Sequence, residues 1–149
     1  MPQMKWIDEN NEQKPLVLRV YDIAEGNVPM LEFNPLKRSD APNWNPMPEE
    51  WHCYSKPLRV LFGDYRRLLK SYFALMFPTK DAFDGTPEPE FDELYYNWLS
   101  AEDWRRALAA IAGDLPKFPE KEREFYEAFL KWFDEALELS DIVICESNL

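Results

Sequence analysis

His52 and Cys53 stand side by side in "EEWHCYS", and an imidazole beside a thiol is the raw material of a nucleophile–base pair. Adjacency works against them. In an extended chain neighbouring side chains point to opposite faces, so the imidazole does not reach the thiol proton. His52 is the single histidine, and with Cys53 and Cys145 it gives three soft or imidazole ligands without CxxC or HxxxH spacing. That is one ligand short of a tetrahedral structural zinc site. The four glycines form neither a P-loop nor a dinucleotide fingerprint. In "DAFDGTPEPEFD" the calcium-loop register fails, because Gly85 follows Lys80 by five positions, where the first oxygen ligand belongs. With 28 acids in the chain, carboxylate pairs at hydrolytic spacing occur everywhere and select no site. The expectation is therefore no catalytic residue, no cofactor and no metal ligand. A small carboxylate-dependent hydrolase, with the proline-rich loop described below as its lid, is the enzymatic alternative.

Charge is the next source of chemistry, and it is unevenly placed. Residues 1–80 hold 10 acids against 11 Lys and Arg, whereas residues 81–149 hold 18 acids against 6. Such a field opposes nucleic acid binding and accelerates encounter with a cationic partner. Aromatic residues make up 15% of the chain, which separates it from disordered acidic tails. The longest apolar run, "YFALMF", is far short of the roughly 20 residues that cross a bilayer, and the first residues lack a signal-peptide hydrophobic segment. A cytoplasmic protein with no membrane association and reduced cysteines is expected.

Periodicity gives the elements that must carry any site. "PLVLRVYDIA" (Pro15–Ala24) alternates as a strand does, and "VPMLEF" is a second candidate. From Asn34 to Pro48, four prolines and three asparagines predict a loop without regular structure. "PLRVLFGDYRRLLKSYFALMF" predicts a helix from Pro57 to the stop at Pro78. Its apolar stripe is Leu58, Leu61, Phe62, Tyr65, Leu68, Leu69, Tyr72 and Met76, and its basic face is Arg59, Arg66 and Lys70. A helix over Glu88–Leu99 would bury Phe91, Leu94, Tyr95, Trp98 and Leu99 and expose Glu90, Glu93, Tyr96 and Asn97. Ser100 reads as the N-cap of the next helix, with Asp103 three positions on, a Glu102–Arg106 pair and Gly113 as stop. The last helix runs from Pro119 to Ser140 with Phe125, Phe129, Trp132, Phe133, Ala136 and Leu137 inward. "DIVIC" then reads as a strand pairing with the N-terminal one. The sum is an α+β fold in one domain, residues 1–149: a small, mainly antiparallel sheet packed against three or four α-helices, with a helix-rich C-terminal half.

The acids of the last helix differ from the others. Those near Ser100 suit a helix N-terminus, whereas Asp134, Glu135 and Glu138 crowd the C-terminal turns, where the dipole opposes negative charge. Glu120/Glu124 and Asp134/Glu138 are also like-charged i,i+4 pairs. A local rule broken without compensation is where function is expected, and packing of the Arg59, Arg66 and Lys70 face nearby would supply that compensation. The candidate partner-binding residues are therefore Glu90, Glu93, Tyr96, Glu120, Glu124, Glu127, Asp134, Glu135 and Glu138.

The interleaving of acids and rings in "EFDELYYNW" and "FYEAFLKWFDEALE", in a small, acidic, Trp-rich chain without motifs, resembles the immunity proteins of bacterial polymorphic-toxin and contact-dependent inhibition systems. The resemblance implies binding of a cognate cationic toxin domain, a nuclease being one such toxin; the sequence does not fix the oligomeric state, a monomer being favoured. Tyr96 or Trp98 would anchor the complex and the toxin's active site would be occluded. A phage-type DNA mimic that blocks a DNA-binding enzyme is the alternative binder.

Overall fold

The structure, a computed structural model, describes residues 14–52, 54 and 56–148, apart from the side chains of Glu49 and Leu139. The elements in chain order are β1 (Leu16–Leu18), β2 (Met30–Leu36), α1 (Pro48–Trp51) and β3 (Leu58–Leu61). A helical run follows: α2 (Phe62–Asp64), a π turn (Tyr65–Leu69), α3 (Lys70–Phe73) and a 3-10 turn (Ala74–Met76). Next come the hairpin β4 (Thr79–Lys80) and β5 (Pro87–Glu88), then β6 (Asn97–Ser100), α4 (Ala101–Asp114), α5 (Glu120–Leu139) and β7 (Ile142–Ser147). Strands β1-β3-β2-β7-β6 form one sheet, in which β1 and β3 are parallel and every other pairing is antiparallel. This is an α+β fold with a helix-rich C-terminal half.

Several expected elements form elsewhere, and in each case long-range pairing outweighs local pattern. Leu58–Leu61 is a strand and not the start of a helix. It lies between β1 and β2, and its alternation buries Leu58 and Val60 completely. The N-terminal strand is only three residues long. Beyond it the backbone N–H groups of Val20, Tyr21 and Asp22 all donate to the buried Asp64 carboxylate, at 2.8, 2.8 and 3.0 Å. Asp22 in turn accepts from Gly63 N, and a Cβ on Gly63 would stand 2.7 Å from Asp22 Oδ2, so any side chain there would displace the Asp22 carboxylate. Strand β2 runs through Asn34, Pro35 and Leu36, inside the stretch expected to be loop. Pro35 is tolerated because β3 pairs only as far as Phe33, so no ladder partner needs its missing N–H on that side. Strand β7 pairs with β2 and β6, not with the first strand.

The core lies between one sheet face and the helices. Leu31, Phe33, Leu58, Val60, Leu99, Val143 and Cys145 point from the sheet into a layer of rings from α3, α4 and α5. Phe33 is the hub: its ring meets those of Phe73, Trp104, Phe129, Trp132 and Phe133 at centroid separations of 5.8–6.5 Å, all edge-on. The polar handles of these rings are satisfied. Trp104 Nε1 donates to Val143 O, Trp132 Nε1 to Lys56 O, and the Tyr126 hydroxyl to Leu68 O inside the π turn. Helix α4 starts where its cap predicts, with Asp103 N donating to Ser100 Oγ at 3.2 Å. Arg106 pairs with Asp103 and Met76 O rather than with Glu102. Helix α5 buries the six apolar side chains expected of it and Tyr126 besides. Cys145 is a free thiol buried in the helix-facing layer, which raises its pKa, while Cys53 lies outside the described residues.

Candidate functional site

The segment from Glu90 to Tyr96 is an exposed loop and not a helix, and its two ends explain why. Asn97 opens β6 opposite Cys145, so the chain is extended there. Asp92 ties the other end: its Oδ1 accepts from Leu94 N at 2.9 Å and from Tyr95 N at 3.1 Å. Asp92 N donates to Asn97 Oδ1 at 2.9 Å, and Asn97 Nδ2 donates back to Asp92 O at 2.7 Å. An aspartate that satisfies the backbone two and three residues on stabilises a turn against a helix. Asn97, expected outside, is consequently buried. Leu94 and Tyr95, expected in the core, are 57% and 69% exposed, beside Tyr96 at 50%.

Three consecutive large side chains thus project into solvent from a hydrogen-bonded turn. Phe91 anchors the loop underneath, against the rings of Tyr65, Phe73 and Phe77. Tyr96 leans on Trp51 with ring centroids 5.9 Å apart. A groove of about 740 Å3 runs alongside, bounded by Glu88, Glu90, Asp92 and Glu93 with Lys70 at its edge. Lys70 Nζ lies 3.5 Å from Glu93 Oε2, so Glu93 is ion-paired within the chain, whereas Glu90 is exposed.

The remaining predicted residues lie on α5. Glu120, Glu124, Glu127, Asp134 and Glu138 are exposed and Glu135 is half-buried beside Tyr54, whose pKa rises through its own burial and then through the Glu135 charge. Among the described residues no Lys, Arg or His lies within ion-pairing distance of any of the six. Among the described residues Arg59, Arg66 and Lys70 do not supply the expected compensation. Arg59 sits on β3 and bonds Glu32, Lys70 holds Glu93, and Arg66 lies over the Phe62 ring. No hydrogen bond, ion pair or ring contact among the described residues links α5 to the Glu90–Tyr96 loop, so the predicted residues form two separate patches.

The opposite sheet face holds polar groups that sequence reading did not connect. One end of it is covered by an aromatic strip in which Trp51 meets Trp98 at 4.9 Å, over Leu36, Ile142 and Ile144. The other end is charged. Glu32 on β2 stands directly opposite Glu146 on β7 and opposite Arg59 on β3. Arg59 Nε donates to Glu32 Oε2 at 2.7 Å, Asn34 Nδ2 donates to Glu32 Oε1 at 3.0 Å, and His52 Nε2 bonds Glu146 Oε1. Burial raises the Glu146 pKa, with the Glu32 charge acting in the same sense and His52 opposing. No local signal marks this cluster, because His52 and Glu146 are 94 residues apart and meet only through strand register.

No protein-family model, curated protein or solved structure matches this chain. Among the described residues no helix is long and apolar enough to cross a membrane.

Proposed function

We propose that this protein is an inhibitor of the immunity type, which binds a cationic protein toxin through Leu94, Tyr95 and Tyr96 and occludes that toxin's active site. The observation that carries the reading is the loop itself: two exposed tyrosines and a leucine, set in acids and held by the Asp92 turn. Tyrosines presented by a hydrogen-bonded turn lose little conformational freedom on docking, which favours them as anchors. The unpaired acids of α5 add a long-range field that speeds encounter with a basic partner, a contribution to association rate more than to affinity. Docking of this kind requires no chemistry by the loop.

Where the gene directly upstream encodes a large secreted protein with a basic C-terminal domain, the test is coexpression with that domain. Growth is expected to be restored and a stable complex to form. Tyr95→Ala and Tyr96→Ala should each weaken that complex about tenfold or more. Glu127→Lys, Asp134→Lys and Glu138→Lys together should lower the association rate and flatten its salt dependence. Failure of rescue together with absence of a complex overturns the reading. Full affinity in the Tyr95/Tyr96 double variant moves the interface off the loop.

A further inference from the structure

The charged end of the open sheet face combines three features that ion pairing alone does not require. Two glutamates, Glu32 and Glu146, occupy directly opposed positions on antiparallel strands, an arrangement that destabilises a sheet unless something cationic joins the pair. His52, from the turn after α1, brings an imidazole nitrogen to the same point, and one ligand atom from each of the three residues lies within 4.8 Å of the others. All three line a cavity of about 530 Å3, so coordination from the solvent side is open.

We propose that Glu32, His52 and Glu146 form a binding site for a single divalent transition-metal ion, of which Zn2+ is the representative. One imidazole and two carboxylates are ligands that Zn2+ accepts, and a three-residue set facing a cavity leaves a position for water. Mg2+ and Ca2+ are disfavoured because they take oxygen donors and hold imidazole poorly. The surroundings match an outer shell. Asn34 and Arg59 hold the two oxygens of Glu32 in place, each bonded oxygen keeping a lone pair for the metal. Arg59 supplies one positive charge against two carboxylates, and a bound dication would replace the repulsion between Glu32 and Glu146 by attraction to a shared centre. The site is distinct from the Leu94–Tyr96 loop, so its failure would leave the docking proposal standing, and the reverse holds.

The experiment uses the full chain stripped of metal with EDTA and titrated with Zn2+ by calorimetry in millimolar Mg2+, which occupies scattered surface acids. One Zn2+ per chain is expected. His52→Ala and Glu146→Gln should each weaken binding by about tenfold or more, while Glu127→Gln on α5 should leave it unchanged. Circular dichroism of the metal-free variants checks folding. The His52 side chain is 38% exposed, so His52→Ala keeps the test decisive should Glu146→Gln fail to fold. Co2+ provides a second readout, since a nitrogen–oxygen site gives weak visible bands without the intense thiolate absorption a cysteine ligand would add. Zn2+ binding that Mg2+ abolishes, undiminished affinity in both variants, or a thiolate band overturns the proposal.

Discussion

The two faces of the five-stranded sheet are built from alternate residues of the same strands, yet they follow different rules. Toward the helices, Leu31, Phe33, Val143 and Cys145 are fully buried and every polar handle among the surrounding Trp104, Trp132 and Tyr126 side chains has a partner. Toward the other side, the next residue along each strand is Glu32, Asn34, Ile144 or Glu146. There charges stand opposite like charges, and the buried Asn34 Oδ1 has no hydrogen-bond partner among the described residues. The helix-facing side is packed throughout, whereas the other side is packed at its Trp51–Trp98 end and polar at its Glu32–Glu146 end.

That contrast can be broken most directly in the covered face. Phe33→Ala removes the hub of five ring contacts and should cost about 3–5 kcal/mol in urea unfolding, enough to unfold a marginal domain. Asp64→Ala strands three backbone N–H donors in the Val20–Asp22 turn and should cost about 2–3 kcal/mol by the same measurement. Ile144→Ala, on the open face under the aromatic strip, should cost about 2 kcal/mol. A loss matching that of Phe33→Ala would erase the distinction between the faces. Glu32→Gln should change stability by no more than about 1 kcal/mol, because losing the Arg59 pair is offset by relief of repulsion from Glu146. The smallest effect is expected for Tyr95→Ala, within about 0.5 kcal/mol, since a side chain so exposed contributes little to folding. A large destabilisation there would show that the loop is structural and would weaken its assignment as a docking surface.

Legibility in the sequence followed the range of the interactions involved. The acid-and-aromatic stretch from Glu90 was recognisable as unusual, and Glu90 and Tyr96 are indeed exposed. Its helical reading inverted Leu94, Tyr95 and Asn97, because three- and four-residue spacing of apolar groups cannot reveal that Asp92 and Asn97 bond each other and pin the chain as a turn. Likewise Leu58–Leu61 satisfies a helical stripe and a strand alternation equally well, and only its two strand neighbours decide between them. The acids of α5 read from the sequence as unsupported by their helix, and among the described residues none of the six is in an ion pair. No cation from β3 or α3 covers them, because Arg59 bonds Glu32 and Lys70 pairs with Glu93, contacts set by the tertiary fold.

By itself the sequence determined what depends on neighbours a few residues away: the capped start of α4 at Ser100, the length and buried stripe of α5, the α+β class, and the asymmetry of charge. Tertiary structure alone decided which residues face which side of the sheet. It opposed Glu32 to Glu146, brought His52 to them across the chain, and left Tyr95 in solvent. The physical reason is that a helix is selected by contacts along one segment, whereas a strand acquires its register, and hence the facing of every side chain, only from its partners.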